Sequence, residues 1–146
     1  MIAVNLALLA PAAALAAWSL VVLVWMAVRR LPAFRSAGIN LENVPAGARG
    51  QDLEKLSPGK AHWMAHNYVH LMEQPTLFYP LAVVLALAGG GTLDAILAWT
   101  YVVLRVGHSL WQGLVNTVPV RAALFGLATL VLVAMAVRAL VLTLGA

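Results

Sequence analysis

The chain has 146 residues, of which 63% are hydrophobic and 10% charged, with a formal net charge of +4 and no cysteine. Apolar runs this long in so short a chain exclude a soluble globular domain and place it in the membrane class. The missing cysteines exclude disulfides, zinc–thiolate sites and thiol nucleophiles; the basic residues gather at helix ends and in one loop, as membrane anchors do, which argues against nucleic acid as a partner.

The first span runs from about Val4 to Val28 and ends in Arg29 and Arg30. Pro11 either kinks it or marks its first turn; a stretch from Pro11 to Arg30 still suffices, since about 20 residues cross the hydrocarbon. No Lys or Arg precedes the apolar run, and it continues well past the ~7–15 residues of a signal core, so it reads as a retained span.

Residues 31–60 are polar, rich in Pro and Gly, and read as a long irregular loop in which Asp52-Leu53-Glu54-Lys55-Leu56 can form one short helical turn. The second span covers about 61–88, with Ser57 or Pro58 as its start signal and Gly89-Gly90-Gly91 as its stop. The third covers about 93–115, capped by Thr92 or Asp94, and the fourth about 120–144. Short connections force antiparallel neighbours. The expected fold is therefore all-α and integral to the membrane: a four-transmembrane-helix, up-down-up-down bundle forming one domain over residues 1–146. Lys and Arg concentrate in the 31–60 loop with its flanks and at Arg121, which predicts a cytoplasmic position for those loops. Both termini then lie on the non-cytoplasmic side, with Arg138 as the contrary charge.

Two of these spans carry polar stripes. In the third, Tyr101, Arg105, His108, Gln112 and Asn116 share a helix face; in the second, His62, His66, His70 and Glu73 do so, with Asn67 just beside them. Ionisable groups at membrane depth are costly and face a protein interior or a wet cavity. Turned toward each other the stripes satisfy one another, with Arg105 able to pair with Glu73. One reading is interhelical glue; another, favoured by the quantity of polar surface, is a site for an anionic polar ligand. A third is a metal site. Yet His62, His66 and His70 on one straight helix span about 12 Å at ~1.5 Å per residue, too far for a single ion to take all three. Two of them with Glu73 could still reach one ion, but no metal is assigned.

The segment His66-Asn67-Tyr68-Val69-His70-Leu71-Met72-Glu73-Gln74-Pro75-Thr76-Leu77-Phe78-Tyr79, then Tyr101-Val102-Val103-Leu104-Arg105-Val106-Gly107-His108-Ser109, then Asn116-Thr117-Val118-Pro119-Val120-Arg121, resembles the MAPEG family, the membrane-associated proteins of eicosanoid and glutathione metabolism, and especially its bacterial branch. The resemblance covers all four spans in order. It implies a homotrimer in a bacterial inner membrane, with glutathione as co-substrate at each subunit interface near the cytoplasmic side. It also implies a transferase- or peroxidase-like reaction on lipophilic small molecules that arrive from the membrane lipids.

Glu73, Arg105, His108 and Arg121 occupy positions that match the family's glutathione-binding residues; Asn67, His70 and Gln112 complete the candidate cofactor-binding set. There are departures. The family's Asn-x-x-Glu reads His70-Leu71-Met72-Glu73 here, with Asn67 one turn earlier, and Ala122 replaces a serine found in some members. Phe125 stands where the eicosanoid synthases carry a thiol-activating tyrosine. That leaves Arg121 as the candidate catalytic residue, a cation able to stabilise thiolate. The alternative is a non-catalytic membrane scaffold or lipid-binding subunit whose polar residues only lock the helices.

Overall fold

The computed structural model describes residues 4–56 and 59–145, so the proposed start signal at Ser57 or Pro58 lies outside the described residues. Five helices are laid out as α1 Ala10–Ser36, α2 Trp63–Glu73, α3 Pro75–Leu87, α4 Thr92–Leu114 and α5 Val118–Leu144. Helices α2 and α3 are the two halves of one broken span, which makes the architecture a four-helix bundle.

Four of the five helix starts have a local cause. Pro11 sits in the first turn of α1, where a missing N–H costs nothing, and so marks the start rather than a kink. Pro75 opens α3 in the same way, while Gln74 between α2 and α3 keeps right-handed helical angles. The chain therefore runs on past a lost hydrogen bond. Pro119 occupies the first turn of α5. At α4 the Asp94 carboxylate turns back to accept the Gly91 N–H at 2.9 Å, so the cap comes from inside the first turn.

The first helix extends to Ser36, eight residues beyond the span end expected from hydropathy. Pro32 does not stop it, because the turn around Pro32 is held from outside. Phe34 is buried, its ring lies 5.9 Å from that of His62, and the Arg30 guanidinium sits 5.2 Å above it. The following loop is correspondingly shorter, and it contains the helical turn at Asp52–Lys55.

Helix α4 is the hub: it packs against α1, α2 and α5, while α3 packs on α5. The core runs through Leu15, Val22, Leu71, Phe78, Leu85, Tyr101, Leu132 and Met135, with Ala82, Ala98, Ala128 and Ala139 letting backbones approach closely. Large apolar side chains such as Leu20, Val24, Val103, Leu130, Val133 and Val137 point outward. Two helical stretches, Leu6–Ser36 and Val118–Leu144, are long and apolar enough to cross a membrane.

The end carrying the glycine turn is tied together by polar groups. Asn5 donates its amide to the Gly90 carbonyl at 2.9 Å, and Gly89 adopts a left-handed φ of 78°. Arg138 grips Asp94 with two hydrogen bonds, 2.9 and 3.1 Å. The charge that ran against the orientation pattern is thereby paired within the bundle.

Candidate functional site

The third-span stripe turns inward as its spacing predicts: Tyr101, Arg105, His108 and Gln112 are all buried, and Asn116 at the helix exit is half-buried. Opposite it, α2 buries Met64, Ala65, Asn67 and Leu71. The inward face of α2 is thus rotated from the histidine stripe toward Asn67, and His70 stands at its edge. The reason lies in the loop and in α1. Glu54 accepts Arg30 at 2.8 Å and meets His66 at 2.7 Å, which draws His66 toward the loop, while His62, its Nδ1 3.9 Å from Glu54, is buried against Phe34 of α1. Among the described residues no three His, Asp or Glu side chains come together to hold a metal ion.

Arg105 is fully buried and does not pair with Glu73. Its Nη2 donates to the His70 backbone carbonyl at 2.7 Å and lies 3.3 Å from the His70 ring, while Nε and Nη1 are buried with no partner. Glu73, at the last residue of α2, is exposed on the outer side of the bundle and forms no ion pair among the described residues. The expected Arg105–Glu73 pairing fails because α2 presents its backbone, not its carboxylate, to the guanidinium.

Above Arg105 lies an aromatic cluster. The His70 and His108 rings stack at 4.7 Å, Phe125 meets His70 edge-on at 5.1 Å, and the Phe125 ring is 5.9 Å from the Arg105 guanidinium carbon. Beside the cluster a cleft of about 170 Å³ opens between α2, α4 and α5, lined by His70, His108, Val118, Arg121, Ala122 and Phe125. Arg121 is half-buried at its rim and donates to the side-chain oxygen of Asn116. The small Ala122 leaves room in the cleft wall. The cleft thus has a cation at its rim and two imidazoles in its wall, while Arg105 lies behind His70 and Phe125 and does not line it.

The remaining candidates divide. Asn67 is buried against Ser109, donating to both its hydroxyl and its carbonyl at 2.9 Å, and Trp18 donates to the same hydroxyl at 3.0 Å. That network joins α1, α2 and α4. The side-chain oxygens of Asn67 and Gln112 are nonetheless buried without a partner. One turn past the cleft, Gln74 bridges three helices, donating to Thr129 at 2.8 Å and accepting the Tyr101 hydroxyl at 3.2 Å.

Glu54, Ser109 and Gln74 escaped the sequence reading. Glu54 sits in a loop where periodicity says nothing. Ser109 and Gln74 are small or uncharged, so they stand out only once their partners are known.

The family model described as "MAPEG family" matches residues 8–141, nearly the whole chain. No curated protein and no solved structure matches.

Proposed function

The chain belongs to the MAPEG family and is an integral membrane protein, and on that premise we propose that it binds glutathione or a similar anionic thiol in the cleft beside His70, His108 and Phe125, and conjugates or reduces lipophilic electrophiles. The observation that carries this reading is Arg105. A guanidinium with 0% exposure, two nitrogens (Nε and Nη1) without acceptors and no carboxylate partner is costly in isolation. Arg105 stands behind the His70 and Phe125 rings that line the cleft, and an anion bound there offsets the buried charge across that wall.

In this reading Arg105 attracts a carboxylate of the tripeptide, His70 and His108 form the wall and offer ring nitrogens, and Gln112 and Asn67 supply buried acceptors. Arg121 is the cation that stabilises the thiolate, since Phe125 carries no hydroxyl. The exposed Glu73 suits the amino group of a ligand, and the family resemblance is what supports a homotrimer with sites between protomers. The loop and Arg121 face the cytoplasm, in a bacterial inner membrane, and the electrophile arrives from the lipid.

Isothermal titration of the detergent-solubilised protein with glutathione tests the reading. Saturable heat at or below millimolar ligand, with affinity reduced at least tenfold in Arg105→Met, is the expected result. No heat from the wild-type protein at millimolar glutathione overturns it.

A further inference from the structure

The connection between α4 and α5 does more than reverse the chain. Helix α4 ends with the Val115 and Asn116 amides both donating to the Trp111 carbonyl, at 2.9 and 2.7 Å. Asn116 then takes a left-handed φ of 62°, the only non-glycine residue to do so among the described residues. The Trp111 indole donates to the Thr117 hydroxyl at 2.9 Å, and Thr117 is extended, leading into Val118 and Pro119. Turn and rim are thus pinned from both sides. The Asn116 carboxamide oxygen accepts a hydrogen bond from Arg121, five residues on, and Arg121 lines the cleft.

We propose that Asn116 is a positioning residue that holds the Arg121 guanidinium at the cleft rim; the proposal rests on the thiol-binding reading above. Gly visits the left-handed region routinely, and Asn and Asp do so through their short, locally hydrogen-bonding side chains. Gly forms the turn but offers no acceptor. Asp accepts the hydrogen bond but, being ionised, cancels the charge it orients. Asn alone supplies the angle and a neutral acceptor, so Arg121 is held in place with its full positive charge available to a thiolate. A free arginine on a helix start samples many rotamers, and fixing one of them raises the share of molecules in which the cation faces the cleft.

The test uses the full chain in detergent or lipid discs, with glutathione as the probe. Its readouts are glutathione binding by calorimetry, the ultraviolet absorbance of bound thiolate against pH, and the thermal midpoint. Asn116→Gly keeps the turn, and Asn116→Asp keeps the turn and the acceptor. If Asn116 is needed only for its backbone angle, both variants match the wild type in every readout, and that result overturns the proposal. The expected result is an unchanged midpoint with a thiolate titration displaced upward by about one pH unit or more in both variants, equivalent to a roughly tenfold loss of thiolate at a fixed pH. In an Arg121→Met background, Asn116→Gly should then add nothing. A further displacement in that background also overturns the proposal, because it shows Asn116 acting by another route. Absence of glutathione heat in the wild type overturns the parent reading as well; a wild-type thiolate signal shared unchanged by Asn116→Gly overturns the positioning role alone.

Discussion

The buried Asp94 carboxylate and the Arg138 guanidinium meet through two hydrogen bonds of 2.9 and 3.1 Å, joining the first turn of α4 to the last third of α5, 44 residues later. Asp94 is fully covered, whereas the Arg138 side chain keeps about a third of its surface open, and the two partners are therefore not equivalent. Arg138→Met leaves a buried carboxylate with only the Gly91 amide, and should lower the thermal midpoint by roughly 5 °C or more. Asp94→Asn keeps the cap and should cost less. A double variant no worse than Arg138→Met alone would confirm that the two residues act as a pair; additive losses would refute it.

Arg105→Met separates a ligand site from interhelical glue. Removing a buried guanidinium with unsatisfied donors in favour of an apolar chain of similar length should leave the thermal midpoint unchanged or higher. Glutathione affinity should fall at least tenfold, as read by calorimetry. A folded variant that binds as the wild type does would sink the role assigned to the buried Arg105 charge.

Neighbouring glycines at the α3–α4 turn should respond in opposite ways. A Cβ at Gly90 would lie 2.8 Å from the Leu85 carbonyl oxygen and 2.9 Å from the Leu8 side chain, and the first of these cannot swing aside. A Cβ at Gly91 meets nothing within 4 Å. Gly90→Ala should therefore cost about 1–3 kcal/mol in reversible unfolding, while Gly91→Ala should be nearly silent. Equal effects would contradict the packing described.

Ser109 is the shared acceptor of Trp18 and Asn67. Ser109→Ala removes both hydroxyl contacts, but Asn67 retains the Ser109 carbonyl at 2.9 Å. The loss should be modest, about 1 kcal/mol at ~0.6 kcal/mol for each interhelical bond, and Trp18→Phe should add little to it in a double-mutant cycle.

Glu54 ties the 37–56 segment to α1 through Arg30 and to α2 through His66. Glu54→Ala should leave global unfolding nearly unaltered, since partly exposed ion pairs contribute little. Tryptic cleavage after Arg49 and Lys55 should accelerate severalfold, followed by gel or mass spectrometry. Unchanged cleavage would show that the loop is held by other contacts.

Some of this organisation could be read directly from residue order. The third-span stripe at Tyr101, Arg105, His108 and Gln112 was placed correctly because a 3.6-residue period admits one inward face for so many polar groups in an apolar helix. The helical turn at Asp52–Lys55 and the first-turn role of Pro11, one of the two readings open for it, were likewise legible from local chemistry. The second stripe was placed less well. Asn67 faces inward, His66 turns to Glu54 and His62 packs on Phe34 of α1, because a short helix with polar groups on much of its circumference leaves its rotation undetermined until contacts outside it select among them.

Composition and periodicity by themselves determined that this chain is helical, bound for a membrane, and costly to build without turning one side of its third span inward; each follows from the price of polar groups in hydrocarbon. Only the tertiary structure decided which groups meet: Arg105 with the His70 carbonyl rather than Glu73, Asp94 with Arg138, and Arg121 with Asn116. Spacing along a helix sets which side a residue occupies. The choice of partner depends on helix rotation, on the break at Pro75 and on contacts tens of residues apart, which packing alone settles.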